Sequence, residues 1–374
     1  MSQTIPKRDV GLDILKGIGC LLMIVAHSNL SLRGYKPFAF YGGFAPALFF
    51  AVSGVTAAFQ AARYAPRGVL SAYLFLFLLG FSFNRITDPG FLEEINFDII
   101  QMIAIGACIV YLLEYYFHLG AWVYLALALL AFSAKFLFLA LLQEQIVFGI
   151  SSIFVPPGVF PVFPWLFLFF LGMYAYRTRN LYNLLLALLA GGLYFFLLSR
   201  GVNLDLENKW DMSIGYFLAC CMLVLGGFFL VRAISVFQQR RGMELLLFLG
   251  TNSLLFLYVH FPLILYLKDR KIQHTVFVIN RNPYLFWLLV LALTVLIMLL
   301  FLRIARLKWI AMAFNFLPVW IILTALVFAV GLLLPNDALV YWVEIGLGII
   351  FAMFYPSLTK LLKQPRASAI TNHD

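Results

Sequence analysis

Charge is what this sequence has least of. Only 11% of its 374 residues are charged, 16 of them acidic, whereas 64% are apolar. Soluble domains carry roughly a quarter charged residues. A chain this apolar, with mean hydropathy +0.98, could not cover a water-facing surface, so lipid must be the solvent for most of it. Long polar stretches are also missing, which leaves no room for a separate soluble domain and makes residues 1–374 one membrane unit. Cysteine is sparse. Cys20, Cys108, Cys220 and Cys221 all lie in apolar runs without metal-ligand spacing, so buried thiols are expected, with neither a disulfide framework nor a metal site. The formal charge of +10 does not imply nucleic acid, because the basic residues sit in short loops, as membrane topology requires.

What is present is a series of apolar runs, each near the roughly 20 residues that cross a bilayer. They predict an all-α, polytopic membrane protein with about twelve spans (ten to twelve) at 11–31, 40–61, 68–84, 97–117, 120–141, 162–177, 181–199, 212–232, 244–267, 284–305, 308–334 and 338–359. With both termini placed in the cytoplasm, the inner segments hold fifteen Lys and Arg and the outer ones nine, the sign expected of loops that stay inside. Residues 1–8 are too short for a cleavable leader, and no A-x-A-like site follows the first run, which is therefore read as a retained helix. The connection 143–161, with Pro156-Pro157-Gly158, is expected to be irregular or re-entrant.

Ionisable residues inside spans are costly and mark function. The first span, RDVGLDILKGIGCLLMIVAHSN, is the richest. Lys16 and His27 are eleven residues apart, close to three turns, so they share a face about 16 Å from end to end. Asp13 lies within about 40° of that face, and Asn29 follows His27. Two readings stand. In one, Asp13 and Lys16 are a structural pair and His27 is a satisfied core histidine. In the other, Lys16 binds an anion at the cytoplasmic surface and a narrow track leads to a titratable His27.

Four further places carry polar groups. In LGTNSLLFLYVHFPLI, His260 is sixteen residues beyond Glu244, which puts it in the outer half at a depth matching His27. Asp98 and Gln101 share a face at the start of the fourth span. Trp165, in FPVFPWLF, reads as an interfacial anchor or as a sugar-stacking platform. Arg63 with Arg67, and Arg177 with Arg179, satisfy the charge rule and are also candidate phosphate ligands. Lys135 is expected to snorkel. Glu344 is a lone carboxylate in the last span.

These segments resemble a known family. The opening R-x4-D-x2-[RK]-G with a later histidine, present as Arg8, Asp13, Lys16, Gly17 and His27, is similar to the start of the integral-membrane acyltransferases. That group includes the acyltransferase 3 family and bacterial relatives of heparan-α-glucosaminide N-acetyltransferase. LFFAVSG at 48–54, FDIIQMIAIG at 97–106, the P-x-x-P-W segment around Trp165 and the L-G-x-x-S segment leading to His260 are similar to further family segments, in the same order. The similarity runs from residue 8 to 265. Lysine stands at position 16 where arginine is commoner, and only Arg63-x3-Arg67 approximates the family's R-x-x-R.

The resemblance implies transfer of an acyl group, most simply acetyl, from cytoplasmic acyl-CoA to a hydroxyl or amine of a saccharide or glycolipid outside, in a bacterial inner membrane. It implies Lys16 and the arginines as donor ligands and His27 as general base or transient acyl carrier. His260, Asp13, Asn29, Asp98, Gln101 and Trp165 would orient the acceptor or His27. The rival reading is a proton-coupled secondary transporter. It would suit the same intramembrane residues, but no repeat pairs the two halves of the chain.

Overall fold

A computed structural model describes residues 9–28, 43–87, 96–141, 151–156, 158–206, 208–234, 242–272, 282–334 and 338–363. The fold is 84% helix, with no strand among the described residues. In order the helices are α1 (Val10–His27), α2 (Ala45–Arg63), α3 (Pro66–Thr87), α4 (Ile99–Tyr116), α5 (Ala121–Leu141), α6 (Ser151–Phe154), α7 (Val162–Arg177) and α8 (Asn180–Ser199). Then follow α9 (Ile214–Ala233), α10 (Glu244–Thr251), α11 (Ser253–Asp269), α12 (Pro283–Ala305), α13 (Lys308–Ala313), α14 (Leu317–Leu333) and α15 (Ala338–Leu362).

Each expected span falls on a helix, but not every helix is long enough to cross. Nine of the described helices meet the length and apolarity of a span, and the bent pair α10–α11 makes ten. Val162–Arg177 and Leu317–Gly331 are apolar but shorter. Two expected spans are not single rods. The run 244–267 breaks at Asn252, where α10 and α11 meet at 91°. The run 308–334 breaks at 314–316, just before Pro318, which sits in the first turn of α14, because proline cannot continue a helix from its N-terminal side. The connection 143–161 contains the short α6; its residues 142–150 and 157 lie outside the described set.

Lipid gives no hydrophobic drive for helix association, so packing rests on close backbone approach. Two crossings do this reciprocally. Where α1 meets α10, a Cβ on Gly17 would lie 2.2 Å from the Leu246 carbonyl oxygen, and one on Gly250 would lie 1.9 Å from that of Asp13. Where α2 meets α7, a Cβ on Gly54 would meet the Phe169 carbonyl oxygen at 2.6 Å, and one on Gly172 that of Ala51 at 2.2 Å. Only glycine allows these contacts. α2 therefore sits at the centre of the bundle, against α1, α4 and α7, and α1 is held between α2, α10 and α11. α15 closes the far side on α3, α11 and α14.

Lys135 and the four cysteines settle into this frame. Lys135 is buried, and its Nζ donates to the carbonyls of Asp211 (2.7 Å) and Met212 (3.1 Å). It ends on loop carbonyls rather than in water. All four cysteines are free, and Cys20, Cys220 and Cys221 are buried.

Candidate functional site

The site begins where α1 ends. Asp9 starts this helix by accepting from the Gly11 amide at 2.9 Å. The 18 residues that follow then carry His27 to the opposite end, about 16 Å beyond Lys16 at 1.5 Å per residue. On α11, His260 is fully buried, whereas His27 is partly exposed. The two rings meet. His27 Nδ1 and His260 Nε2 are 2.9 Å apart, although 233 residues separate them in sequence. The depth inferred for His260 by counting from Glu244 assumed a straight helix. The bend at Asn252 removes that basis, and the contact itself places the two histidines at one level.

The hydrogen bonds assign the tautomers. His260 Nδ1 lies 2.8 Å from the Phe256 carbonyl oxygen, an acceptor only, so Nδ1 carries the hydrogen. In the neutral ring Nε2 is then an acceptor, and His27 Nδ1–H donates to it. The chain ends on the free lone pair of His27 Nε2. Phe256 stacks on His260 at 4.5 Å between ring centroids, and Phe261 stands edge-on to His27 at 4.9 Å, which fixes both rings. Lys268 Nζ donates to the His27 main-chain oxygen at 2.6 Å and so closes the C-terminus of α1.

A cavity of about 340 Å³ runs below this pair. Asp13 and Lys16 line one end; Met23 and Leu257 lie one turn short of His27 and His260 at the other. Residues of α2, α3, α4, α10, α11, α12 and α15, mostly apolar, complete its wall. Lys16 and Asp13 also line a second cavity, of about 280 Å³, together with Arg63, Gln60 and Tyr64. Lys16 and Arg63 therefore face one space.

The other expected residues lie elsewhere. Asp98 is the N-cap of α4. Its carboxylate accepts from the Ile99 amide and, at 3.1 Å, from Thr87, while Gln101 Oε1 accepts from the Asp98 amide at 2.8 Å. This capping box occupies the Asp98 carboxylate and Gln101 Oε1 but leaves the buried Gln101 Nε2 without a partner among the described residues, and neither residue hydrogen-bonds to His27. Trp165 is no interfacial anchor. It is fully buried against Phe50, Phe160 and Tyr216, and its indole N–H has no partner. Arg177 is paired with Glu114 and also donates to the Leu119 carbonyl. Arg67 and Arg179 are exposed and line neither cavity. Asn29 lies outside the described residues.

Two lysines that sequence reasoning passed over lie at the His27 end: Lys268, already named, and Lys209 in the connection between α8 and α9. Lys209 Nζ is 4.1 Å from the centre of the Trp210 ring. Burial pushes its ammonium down to about 8, against the opposing pull of the Asp98 carboxylate. Its position after a helix, beside tryptophan, was the available signal.

Residues 9–303 match the family model described as an acyltransferase domain, that of the acyltransferase 3 family. No curated protein and no solved structure matches the chain.

Proposed function

The chain belongs to the acyltransferase 3 family of integral-membrane acyltransferases, and on that premise we propose that it moves an acyl group, most simply acetyl, from cytoplasmic acyl-CoA to a hydroxyl or amine of an extracytoplasmic saccharide or glycolipid. The observation that carries this reading is the His27–His260 pair poised above a cavity whose far end is lined by Lys16. A donor with an anionic head and a reactive thioester needs that order of parts. The charge bias of the loops supports placing the Lys16 end inside and the His27 end outside.

The residues divide the work by their exposure. Lys16, with Arg63 beside it, would hold phosphate at the cytoplasmic mouth as point charge and fork. His27 Nε2 would take the proton from the acceptor hydroxyl or amine as its oxygen or nitrogen attacks the thioester carbonyl. The C–S bond then breaks, and the same proton passes to the departing thiolate. His260 would act on His27 rather than on substrate: it fixes the ring and the tautomer, and accepts more strongly from Nδ1–H as positive charge develops. Its complete burial suits a positioning residue.

The test is transfer by purified full-length protein supplied with acetyl-CoA, followed as thiol release. His27→Ala should lose at least about two orders of magnitude in turnover while donor binding survives. His27→Gln, which hydrogen-bonds but takes no proton, should be nearly as inactive. Near-wild-type turnover by His27→Gln would rule out the base.

A further inference from the structure

The 91° break between α10 and α11 lies on the cavity wall. Gly250, Thr251, Asn252 and Ser253 all line the 340 Å³ cavity. A break there exposes the N-terminus of a 17-residue helix, whose first amides have no acceptor within the helix. A polar N-cap residue normally covers them. Asn252 does not. Its side chain points backward, donating to the Phe248 carbonyl at 2.8 Å and to Thr251 Oγ1 at 3.1 Å.

A second observation comes from another helix. Ser53 of α2 lines the same cavity and is only 8% exposed. Its hydroxyl has no hydrogen bond among the described residues. A buried helical serine ordinarily bonds to the carbonyl one turn back, as Thr56 does to Val52. In Ser53 the hydroxyl is left to the cavity. Phe49, one turn nearer the outer end of α2, packs on Gly19, and Val52 and Thr56 share a cavity with Asp13 and Lys16, so Ser53 lies toward the Lys16 end. Asp13 also lines the cavity, one turn from Lys16 at its mouth.

Depth decides what these donors meet. Ser253 and Leu255 precede His260 by seven and five residues, or about 10 and 8 Å along α11. An extended chain advances about 1.2 Å per bond, from roughly 3.6 Å per three-bond residue. In a pantetheine thioester the first amide carbonyl carbon is four bonds from sulfur, the second eight and the phosphorus thirteen. These fall at about 5, 10 and 16 Å from the reacting histidines. The last matches Lys16, and the second matches the start of α11.

We propose that the uncapped first turn of α11 hydrogen-bonds the second amide carbonyl of the donor's pantetheine arm, and that the Ser53 hydroxyl continues this polar track toward Lys16, meeting the polar groups of the arm between that carbonyl and the phosphate. This rests on the acyl-CoA reading above. It makes the enzyme selective for donors with an amide-bearing arm over simple thioesters of the same acyl group.

The experiment compares acetyl-CoA with S-acetyl-N-acetylcysteamine, which keeps the thioester and first amide but lacks the second carbonyl and the phosphates. Two variants are made in the full chain. Asn252→Asp cannot donate to Phe248, so its carboxylate turns to the first-turn amides and caps the helix. It should raise the melting temperature and yet raise KM for acetyl-CoA at least about fivefold, with kcat within about twofold. Ser53→Ala should raise the same KM about fivefold without loss of stability. Neither variant should alter KM for the truncated donor. Equal effects on both donors, or none on either, overturn the track while leaving the acyl-CoA reading in place. A wild-type protein that transfers from neither donor overturns the acyl-CoA reading and the track with it. If Asn252→Asp does not fold, Ser53→Ala decides alone.

Discussion

Two sets of helices in this bundle meet different solvents. In α1, α2, α3 and α4, between 56% and 67% of each span is buried; in α5, α8 and α12 the figure falls to between 17% and 28%. The inner set carries the polar stripe and the glycines that let backbones touch. The outer set presents large apolar side chains, such as Leu189 at 65% exposure and Leu296 at 64%, to lipid. Mean hydropathy is higher in each of these outer helices than in any of the inner ones, as suits surfaces that face lipid. The two sets also differ in whether a substitution meets backbone or hydrocarbon.

The sharpest way to break this contrast is at the helix crossings. Gly250→Val sets two methyl groups where even a Cβ would lie 1.9 Å from the Asp13 carbonyl. Overpacking against backbone costs about 3 kcal/mol or more, and the variant should elute as aggregate or melt far below the wild type. Gly192→Ala, on α8 with open space around it, should be neutral or slightly stabilising. Comparable melting temperatures for the two would mean that α1 and α10 do not touch.

Next in size is His260. His260→Leu leaves His27 Nδ1–H without an acceptor and should lower kcat about tenfold to a hundredfold. His260→Gln can accept through its amide oxygen and should recover part of that loss. On the outer set, Leu189→Ala should stay within twofold. Equal losses for the Leu and Gln variants would remove the positioning role.

A smaller effect is expected at Lys16. Lys16→Ala should raise KM for acetyl-CoA about tenfold, the loss of one charge-assisted contact, with expression intact. Lys16→Arg should keep most of the affinity. An unchanged KM in Lys16→Ala moves the phosphate site to Arg63.

The smallest effect is at Lys209. Its ammonium titrates near 8 in the folded chain against 10.5 when exposed. Between those values the unfolded chain holds a proton that the folded one does not, so this residue's contribution to stability rises with pH across that window. Lys209→Met should therefore raise the melting temperature at pH 7, and the gain should shrink between pH 8 and pH 10. A gain that does not change with pH would show that the ammonium is solvated.

Much of this arrangement is legible from residue order alone. Periodicity places Lys16 and His27 on one face, and His260 stands out as a second intramembrane histidine, but its meeting with His27 was not readable, because counting from Glu244 assumed a straight helix. The span layout was legible as helices but not as a count. The polar Thr251-Asn252-Ser253 step lies inside one continuous apolar run, so hydropathy reads straight through the bend. The roles of Asp98 and Gln101 had a readable sign, because an acidic residue three before glutamine at a helix start is a capping box. The Arg177–Glu114 pair and the burial of Trp165 were not readable, since each depends on which helices become neighbours.

The 233 residues between His27 and His260 also set a schedule for biosynthesis. At roughly 5–20 residues per second, about ten to fifty seconds of translation separate the insertion of the first histidine from that of its partner. Throughout that interval α1 sits in the bilayer with a polar ring that has no intended acceptor. A ribosome that stalls before α11 releases a chain with most of its helices and no histidine pair. The His27–His260 contact thus doubles as proof that about two thirds of the polypeptide has been made and packed.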